Sequence, residues 1–144
     1  MKIRIQRVDK DLPLPTYATA GAVAFDVITR VTTVVEPGAI ALIPGNVIVK
    51  IPEGTMLLLA PRSSMPRKKG LISPHGMGII DQDYCGPGDE LLVQVMNITK
   101  ESVTVERGER IAQGIFVRIE KAEWEEVSGH DAETRGGFGT TGTH

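Results

Sequence analysis

The chain has 144 residues, of which 41% are hydrophobic and 4% aromatic, and its formal net charge is -2. This length predicts one domain with enough apolar residues for a core, and association between copies would add to its stability. Because positive and negative residues are interspersed, the composition excludes a broad basic surface, and we expect no nucleic-acid partner.

The sequence gives no sign of secretion or of membrane insertion. The opening run Met1-Lys2-Ile3-Arg4-Ile5 lacks the apolar stretch of a signal peptide. No segment approaches the roughly 20 consecutive apolar residues of a membrane span. Cys85 is the only cysteine, so an internal disulfide cannot form, and no Cys/His cluster has zinc spacing. We therefore expect a cytoplasmic protein with no membrane partner.

Short apolar runs separated by proline and glycine occupy most of the chain. The runs that predict strands are 22–28, 32–35, 39–43, 47–51, 56–60, 90–97, 103–105 and 111–117. Turn residues separate the early runs at Glu36-Pro37-Gly38, Pro44-Gly45-Asn46 and Pro52-Glu53-Gly54. Short strands at this spacing are typical of an all-β sandwich or barrel. Since no long 3.6-residue periodicity occurs, we expect helix only as a turn or two.

The composition changes near the end of the chain. Residues 128–144 are rich in glycine, threonine and charged residues, and Phe138 is their only large apolar side chain. Such a segment cannot bury enough surface to hold itself in place. We therefore expect a folded domain over 1–127 and a flexible arm over 128–144. The arm is either a plain disordered terminus or a segment that closes over a phosphorylated ligand.

The loop Pro61-Arg62-Ser63-Ser64-Met65 follows a predicted strand directly. The arginine fork and the neighbouring hydroxyl and backbone N–H groups suit a phosphate. Most loops of this composition, however, are ordinary solvated turns, so the loop alone does not define a site.

A second segment runs from Gly76 to Gly86 and carries two acidic residues. Two glycines lead into Ile79-Ile80, which we expect to be buried, so that Asp81 emerges where a strand leaves the core. Alternation along an extended strand would place Asp81 and Asp83 on one side and Tyr84 on the other. The alternative is that Asp83 caps a turn and Tyr84 packs at a sheet edge.

The terminal segment Arg135-Gly136-Gly137-Phe138-Gly139-Thr140-Thr141-Gly142 combines glycines, which permit close backbone approach, with hydroxyl donors for oxyanions. It lacks the strand-loop-helix context and the Gly-Lys-Thr ending of a P-loop, so a P-loop is excluded.

Taken in order, these segments resemble the five motifs of the trimeric dUTP diphosphatase (dUTPase) family. The segments that carry the resemblance are Ala20-Gly21 through Phe25-Asp26-Val27, Pro61-Arg62-Ser63-Ser64 through Lys69-Gly70-Leu71, Gly78-Ile79-Ile80-Asp81-Gln82-Asp83-Tyr84 with Gly86 and Asn97, Gly108-Glu109-Arg110-Ile111-Ala112-Gln113, and the terminal arm. The resemblance implies a jelly-roll-like β-barrel that forms a homotrimer with shared active sites. It also implies Mg²⁺-assisted hydrolysis of dUTP to dUMP and pyrophosphate.

The resemblance assigns catalytic and metal roles as well. It implies that Asp81 is the general base that deprotonates a water attacking the α-phosphorus in line. Mg²⁺ would be chelated by the triphosphate oxygens with no direct protein ligand. Asp26 is then either an indirect support of that site or a buried structural carboxylate near the third motif, and Arg110 is structural.

The same resemblance implies the substrate contacts. Contacts to the α and β phosphates would come from Arg62, Ser63, Ser64 and Gln113. Contacts to the γ phosphate would come from Arg135, Thr140 and Thr141, next to Gly139. Phe138 would stack on the base, and the Tyr84 ring would pack under the deoxyribose and exclude a 2′-hydroxyl. Uracil would be read by main-chain groups of a hairpin that begins near Gly78 and Ile80 and returns before Asn97, with His75 at its border.

The chain departs from the family pattern in two places, and two other functions stay open. Residues 85–90 are longer than the usual hairpin, and the fifth motif is shorter between Arg135 and Gly136-Gly137-Phe138. A dCTP deaminase-like or bifunctional nucleotide enzyme shares the jelly roll and the Arg-Ser-Ser loop, but it needs a glutamate where Gln94 stands. A regulatory module that binds a protein partner on the same fold is the other alternative.

Overall fold

The computed structural model describes residues 1–130, 132–134 and 136–137. In this part of the chain the elements are β1 (Arg4–Arg7), β2 (Phe25–Ile28), β3 (Thr33–Val35), β4 (Ile40–Pro44), β5 (Val47–Lys50), β6 (Thr55–Pro61), α1 (Met65–Lys69), β7 (Leu71–Ile72), β8 (Gly78–Ile80), β9 (Leu92–Asn97), β10 (Val103–Val105) and β11 (Arg110–Arg118). The fold is therefore all-β and jelly-roll-like, as the sequence predicts, and its one described helix is a short turn of five residues. No described helix has the length and apolar character that crossing a bilayer requires.

The strands form small antiparallel sheets. The largest has the order β2-β11-β6-β8, and a second has the order β4-β9-β7. Two further pairs, β1-β5 and β10-β3, complete the architecture. Neighbours in these sheets are far apart in sequence, so each sheet brings distant motifs side by side.

The core lies between the sheets and is built by alternation along the strands. In β6 every second residue is buried, so Leu57 and Leu59 point inward. The largest fully buried side chains include Ile43, Leu71, Leu91 and Ile111. Since these residues come from four different parts of the chain, the core holds the whole domain together.

The structure corrects several details of the predicted strands. Strands β1 and β7 were not predicted, β8 ends at Ile80 and does not continue past Asp81 as an extended strand, and β2 begins at Phe25 rather than at residue 22. Ile79 was predicted to be buried, but it is 65% exposed. It lies on β8, at the edge of the largest sheet, where one face of the strand is open to solvent.

Gly114 lies in the middle of the largest sheet, where the ring of Phe25 takes the space of a side chain. A Cβ at this position would lie 2.7 Å from Phe25 Cε2 and 2.9 Å from Cε1, and closer still to Cζ. Phe25 also packs on Phe116 at a centroid distance of 5.7 Å, so its ring cannot move freely. The close approach of the β11 backbone to this ring therefore requires glycine.

We expect Gly114→Ala to lower the free energy of unfolding by about 1–3 kcal/mol, the usual cost of overpacking a core. Denaturant unfolding at fixed protein concentration measures this loss. Gly21→Ala is the control, because a Cβ at Gly21 meets no atom within 4 Å. Equal stabilities of the two variants would contradict the packing argument.

Candidate active site

The register of the largest sheet brings three motifs to one place. Gln113 on β11 is paired with Asp26 on β2, and the adjacent Ala112 is paired with Pro61 on β6. Arg62 follows Pro61 directly, so it leaves the sheet beside Asp26 and Gln113. Residues from the first, second and fourth motifs therefore meet at one end of this sheet.

The Asp26 carboxylate is held by two arginines. Arg62 Nε lies 3.2 Å from Asp26 Oδ1, and Arg110 Nη1 lies 3.1 Å from Oδ2. Asp26 thus orients both guanidinium groups and has no oxygen free of an arginine. The structure places it beside the second and fourth motifs, not near the third, where its structural alternative was expected. Arg110 lies in this cluster as well, although a structural role outside the site was predicted for it.

The cluster surrounds an open cavity of about 280 Å³, here called the Arg62 cavity. Its lining residues are Ala18, Ala22, Val23, Ala24, Asp26, Arg62, Ser63, Ser64 and Gln113. The predicted phosphate contacts of the folded domain therefore share one cavity. Its polar side chains offer the guanidinium, hydroxyl and amide donors that phosphate oxygens accept.

A short helix fixes the far side of the Arg62 loop. Ser64 is the N-cap residue of α1, but its hydroxyl makes no capping hydrogen bond. The helix ends at Lys69 and is capped by Gly70, whose φ of 63° is left-handed and whose N–H donates to the Pro66 carbonyl over 3.0 Å. The Ser64 hydroxyl is consequently not engaged by the helix and can donate into the cavity.

Asp81 lies in a turn directly after β8. The Tyr84 N–H donates to the Asp81 carbonyl over 3.3 Å, so residues 81–84 form a turn and not the extended strand that was predicted. Gln82 Nε2 donates to the Thr55 carbonyl over 2.9 Å and ties this turn to the start of β6. The Asp81 side chain is exposed in a groove that it shares with Asp83 and Lys121.

A second cavity, of about 260 Å³, lies between β8 and β9 and is here called the Gly78 cavity. It is mainly apolar, and Gly78, Ile80 and His75 are among its lining residues. Gln94 on β9 lies in the opposite wall. The base contacts predicted at Gly78, Ile80 and His75 therefore lie around one cavity. The amide of Gln94 stands where a dCTP deaminase-like enzyme would need a glutamate.

The predicted hairpin around this cavity has a different form in the structure. Strand β8 pairs with β6, whereas β9 pairs with β4 and β7. In residues 78–97, all of which the structure describes, the two arms are thus separated instead of being hydrogen-bonded to each other. The separation leaves backbone groups at the cavity, which a planar ligand could use.

Two side chains of this segment, Tyr84 within it and Asn97 at its end, are held by hydrogen bonds. Tyr84 Oη donates to the Glu90 carbonyl over 3.0 Å, and its ring is half-buried. Asn97 is fully buried, and its Nδ2 donates to the carbonyls of Val35 and Glu101. Asn97 therefore fixes the end of β9 and does not face either cavity.

Asp81 and Arg62 lie at opposite ends of β6 in one copy of the chain. Ile80 is paired with Leu57, so Asp81 stands level with Met56, six residues before Arg62. Six residues of strand span about 20 Å. The Arg62 side chain also turns toward Asp26 on β2, on the side of the sheet opposite β8. A single copy does not bring these two groups together.

The predicted contacts of the arm, namely Arg135, Phe138, Gly139, Thr140 and Thr141, lie outside the described residues. In the described residues 119–130 the chain forms neither helix nor strand.

The chain combines an all-β fold with an arginine-serine cavity that suits phosphates and an apolar cavity that suits a planar base, which together define a nucleotide-binding protein. The family model of dUTPase matches residues 10–142. The chain belongs to the dUTPase family.

Curated relatives and solved structures agree with this assignment. The chain is 41% identical to the deoxyuridine 5'-triphosphate nucleotidohydrolase of Erwinia tasmaniensis, over 99% of this chain and 95% of that protein. Among solved structures, the dUTPase of Streptococcus mutans is 34% identical with a TM-score of 0.77, covering 83% of this chain and 98% of the other. The dUTPase of Staphylococcus bacteriophage 80alpha with dUPNHPP is 27% identical with a TM-score of 0.85, and the match covers 98% of both chains.

Proposed function

We propose that this protein hydrolyses dUTP to dUMP and pyrophosphate by attack of water on the α-phosphorus. The observation that carries the proposal is that the phosphate contacts and the base contacts expected of the described residues line two different cavities. Donors for phosphate line the Arg62 cavity, and backbone groups with apolar walls line the Gly78 cavity. The relative with dUPNHPP, a triphosphate analogue by its name, supports a nucleotide as the substrate.

In this mechanism the Arg62 cavity binds the α and β phosphates. The Arg62 guanidinium donates to phosphate oxygens while Asp26 keeps it oriented, and the Ser63 and Ser64 hydroxyls and the Gln113 amide add further donors. Such donors stabilise the charge that develops on the phosphoryl oxygens and on the leaving pyrophosphate. Removing one donor of this kind typically lowers the rate by about 10²–10³-fold.

Asp81 acts as the general base. Its exposed carboxylate accepts a proton from the attacking water, whose oxygen forms the new bond to the α-phosphorus. The bond from that phosphorus to the bridging oxygen of the β phosphate breaks, and pyrophosphate leaves with that oxygen. Gln82, through its hydrogen bond to Thr55, keeps the Asp81 turn in place.

The side chains present fit Mg²⁺ that arrives with the substrate. Among the described residues no three His, Cys, Asp or Glu side chains gather in a metal site. Both Asp26 oxygens face arginines, which favours Asp26 as an indirect support over a direct ligand. Mg²⁺ chelated by the triphosphate oxygens would neutralise phosphate charge, as is usual for nucleotide substrates.

The Gly78 cavity selects the base, and Tyr84, which is not among the residues that line this cavity, selects the sugar. Main-chain groups at Gly78 and Ile80 hydrogen-bond uracil, with His75 at the rim of the cavity. Tyr84 packs its ring under the deoxyribose and leaves no room for a 2′-hydroxyl. The terminal arm, with Arg135, Thr140 and Thr141 on the γ phosphate and Phe138 on the base, closes the site.

We further propose that the active site is assembled in a cytoplasmic homotrimer. Asp81 and Arg62 are about 20 Å apart along β6 in one copy, yet both must act on one α phosphate. Asp81 of one copy and Arg62 of a neighbouring copy therefore form one site, and the arm of the third copy completes it.

Oxygen-18 water tests the reaction itself. With dUTP and Mg²⁺, mass spectrometry should find the label in dUMP, since the α-phosphorus receives the water oxygen. The Asp81→Asn protein serves as the control for spontaneous hydrolysis. Label confined to pyrophosphate would place the attack on the β-phosphorus and contradict the proposal.

Mixed trimers test the shared site. Arg62→Ala and Asp81→Asn proteins should each be nearly inactive, but co-refolding them in equal amounts should restore about a quarter of the wild-type activity. In a randomly mixed ring, the copy that supplies Asp81 to a site is intact there with probability one half, and so is the copy that supplies Arg62. Both are therefore intact in about a quarter of the sites. Each variant refolded alone is the control. Absence of any recovery in mixed trimers of normal mass would show that each site belongs to a single chain.

A further inference from the structure

The carboxylate of Glu90 is buried at the end of the segment that follows Tyr84. The residue is 8% exposed, and Arg30 binds it with two nitrogens, Nε at 2.9 Å from Oε1 and Nη2 at 3.0 Å from Oε2. The Asn46 N–H donates to Oε1 over 2.7 Å. By hydrogen-bonding the charged guanidinium, Glu90 raises the pKa of Arg30 above its usual value. This forked, charge-assisted pair holds Glu90 in one position.

The backbone at Glu90 is held as well. The Leu91 N–H donates to the Val47 carbonyl over 2.9 Å, and the Gly45 N–H donates to the Leu91 carbonyl over 2.7 Å. Leu91 itself is fully buried. Residues 90–91 are therefore fixed to the turn between β4 and β5.

Tyr84 is tied to this fixed point through its hydroxyl. Tyr84 Oη donates to the Glu90 carbonyl over 3.0 Å. Between the two residues the chain closes on itself, since the Gly86 N–H donates to Asp89 Oδ2 over 2.6 Å and the Asp89 N–H donates to the Gly86 carbonyl over 3.1 Å. These two hydrogen bonds join Gly86 only to Asp89 and not to a strand. The hydrogen bond from the Tyr84 hydroxyl is therefore the contact that connects the ring to Glu90.

We propose that Arg30 and Glu90 are positioning residues that hold the Tyr84 ring in place and thereby set the discrimination between deoxyribose and ribose. This inference rests on the proposed function and deepens it. A ring fixed at both its backbone and its hydroxyl cannot retreat from a 2′-hydroxyl, whereas a ring fixed at the backbone alone can. An apolar pocket without such a fixed wall rejects an added hydroxyl only about 100-fold.

The test compares dUTP with UTP in the Arg30→Met protein. Methionine keeps much of the apolar stem but cannot bind Glu90. We expect the ratio of kcat/KM for dUTP to kcat/KM for UTP to fall about tenfold, while kcat for dUTP changes less than about threefold. Arg30→Lys, which keeps the charge, should restore part of the ratio. Arg107→Met is the matched control, because it breaks the 2.7 Å Arg107–Asp9 ion pair near the same turn without touching Glu90.

A double-mutant cycle tests whether Arg30 affects sugar discrimination through the Tyr84 hydroxyl. Tyr84→Phe removes the hydroxyl contact and should lower the ratio by a similar factor. Adding Arg30→Met to Tyr84→Phe should lower it no further, because both changes interrupt one connection. Additive effects, or an equal fall in the Arg107→Met control, would overturn the inference.

Amide hydrogen exchange without nucleotide provides a readout that does not depend on activity. Arg30→Met should speed exchange across residues 84–89 relative to the Arg107→Met control. Unchanged exchange together with an unchanged ratio in an active protein would overturn the inference. A wild-type protein that failed to hydrolyse dUTP would instead refute the proposed function, and the exchange rates would still decide whether Arg30 holds the segment.

Discussion

Asp81→Asn is expected to lower kcat for dUTP by about 10³-fold, within the range that general-base catalysis contributes. Asparagine has nearly the same shape as aspartate but cannot accept the proton of the attacking water. Asp81 is not among the residues that line the Arg62 cavity, so the substitution removes no phosphate donor from it. We therefore expect dUTP binding, measured by titration calorimetry, to stay within a few-fold of the wild type.

Asp83→Asn is the matched control for this prediction. Asp83 lies in the same turn, lines the same groove and is also exposed, so it shares the surroundings of Asp81 but has no role in the proposed mechanism. Its kcat should stay close to that of the wild type. An Asp81→Asn protein with normal turnover would remove Asp81 from the mechanism, and equal losses in both variants would point to a general effect of charge in the groove.

Truncation after Ser128 is expected to lower kcat/KM by at least about 100-fold while the proposed trimer stays folded, because each lost phosphate donor typically lowers the rate by that much. The last strand among the described residues ends at Arg118, and the Ile119 N–H directly after it donates to the Gly54 carbonyl over 3.0 Å. None of the described core residues lies in the arm, so we expect the domain to fold without it. Turnover measures the first effect, and light scattering and thermal unfolding measure the second.

Removal of residues 143–144 alone gives the control, because they lie beyond the family-matched range of residues 10–142. This shorter truncation should leave activity unchanged. If truncation after Ser128 also left full activity, the arm would be a plain terminal tail, and the γ phosphate would be bound by other residues.

Local patterns in the sequence predicted most of the strands. The runs 47–51 and 103–105 match β5 and β10 closely, since β-branched residues there are bounded by proline, glycine or polar turns. Strand β1, with the sequence RIQR, was missed because it is short and mostly polar. It is a strand because β5 pairs with it, and a local pattern cannot reveal that partner.

The sequence supplied candidate residues for the site but not their arrangement. The roles of Arg62, Asp81 and Gln113 come from the resemblance of their motifs to the dUTPase family and stay predictions. The register that pairs Gln113 with Asp26 joins positions 87 residues apart, and nothing local to either position specifies it. Ile79 was wrongly predicted to be buried, because an apolar residue at a sheet edge beside a cavity cannot be distinguished from a core residue by sequence.

Pyrophosphate release by the purified protein with Mg²⁺ tests the central claim most directly, with dUTP, dCTP, dTTP and UTP compared at equal concentration. The proposed site predicts fast release from dUTP and rates for the other three nucleotides lower by at least about 100-fold, since the Gly78 cavity and Tyr84 exclude them. Comparable release from several nucleotides would contradict the assigned base and sugar contacts. No release from any of them would contradict the proposed hydrolysis itself.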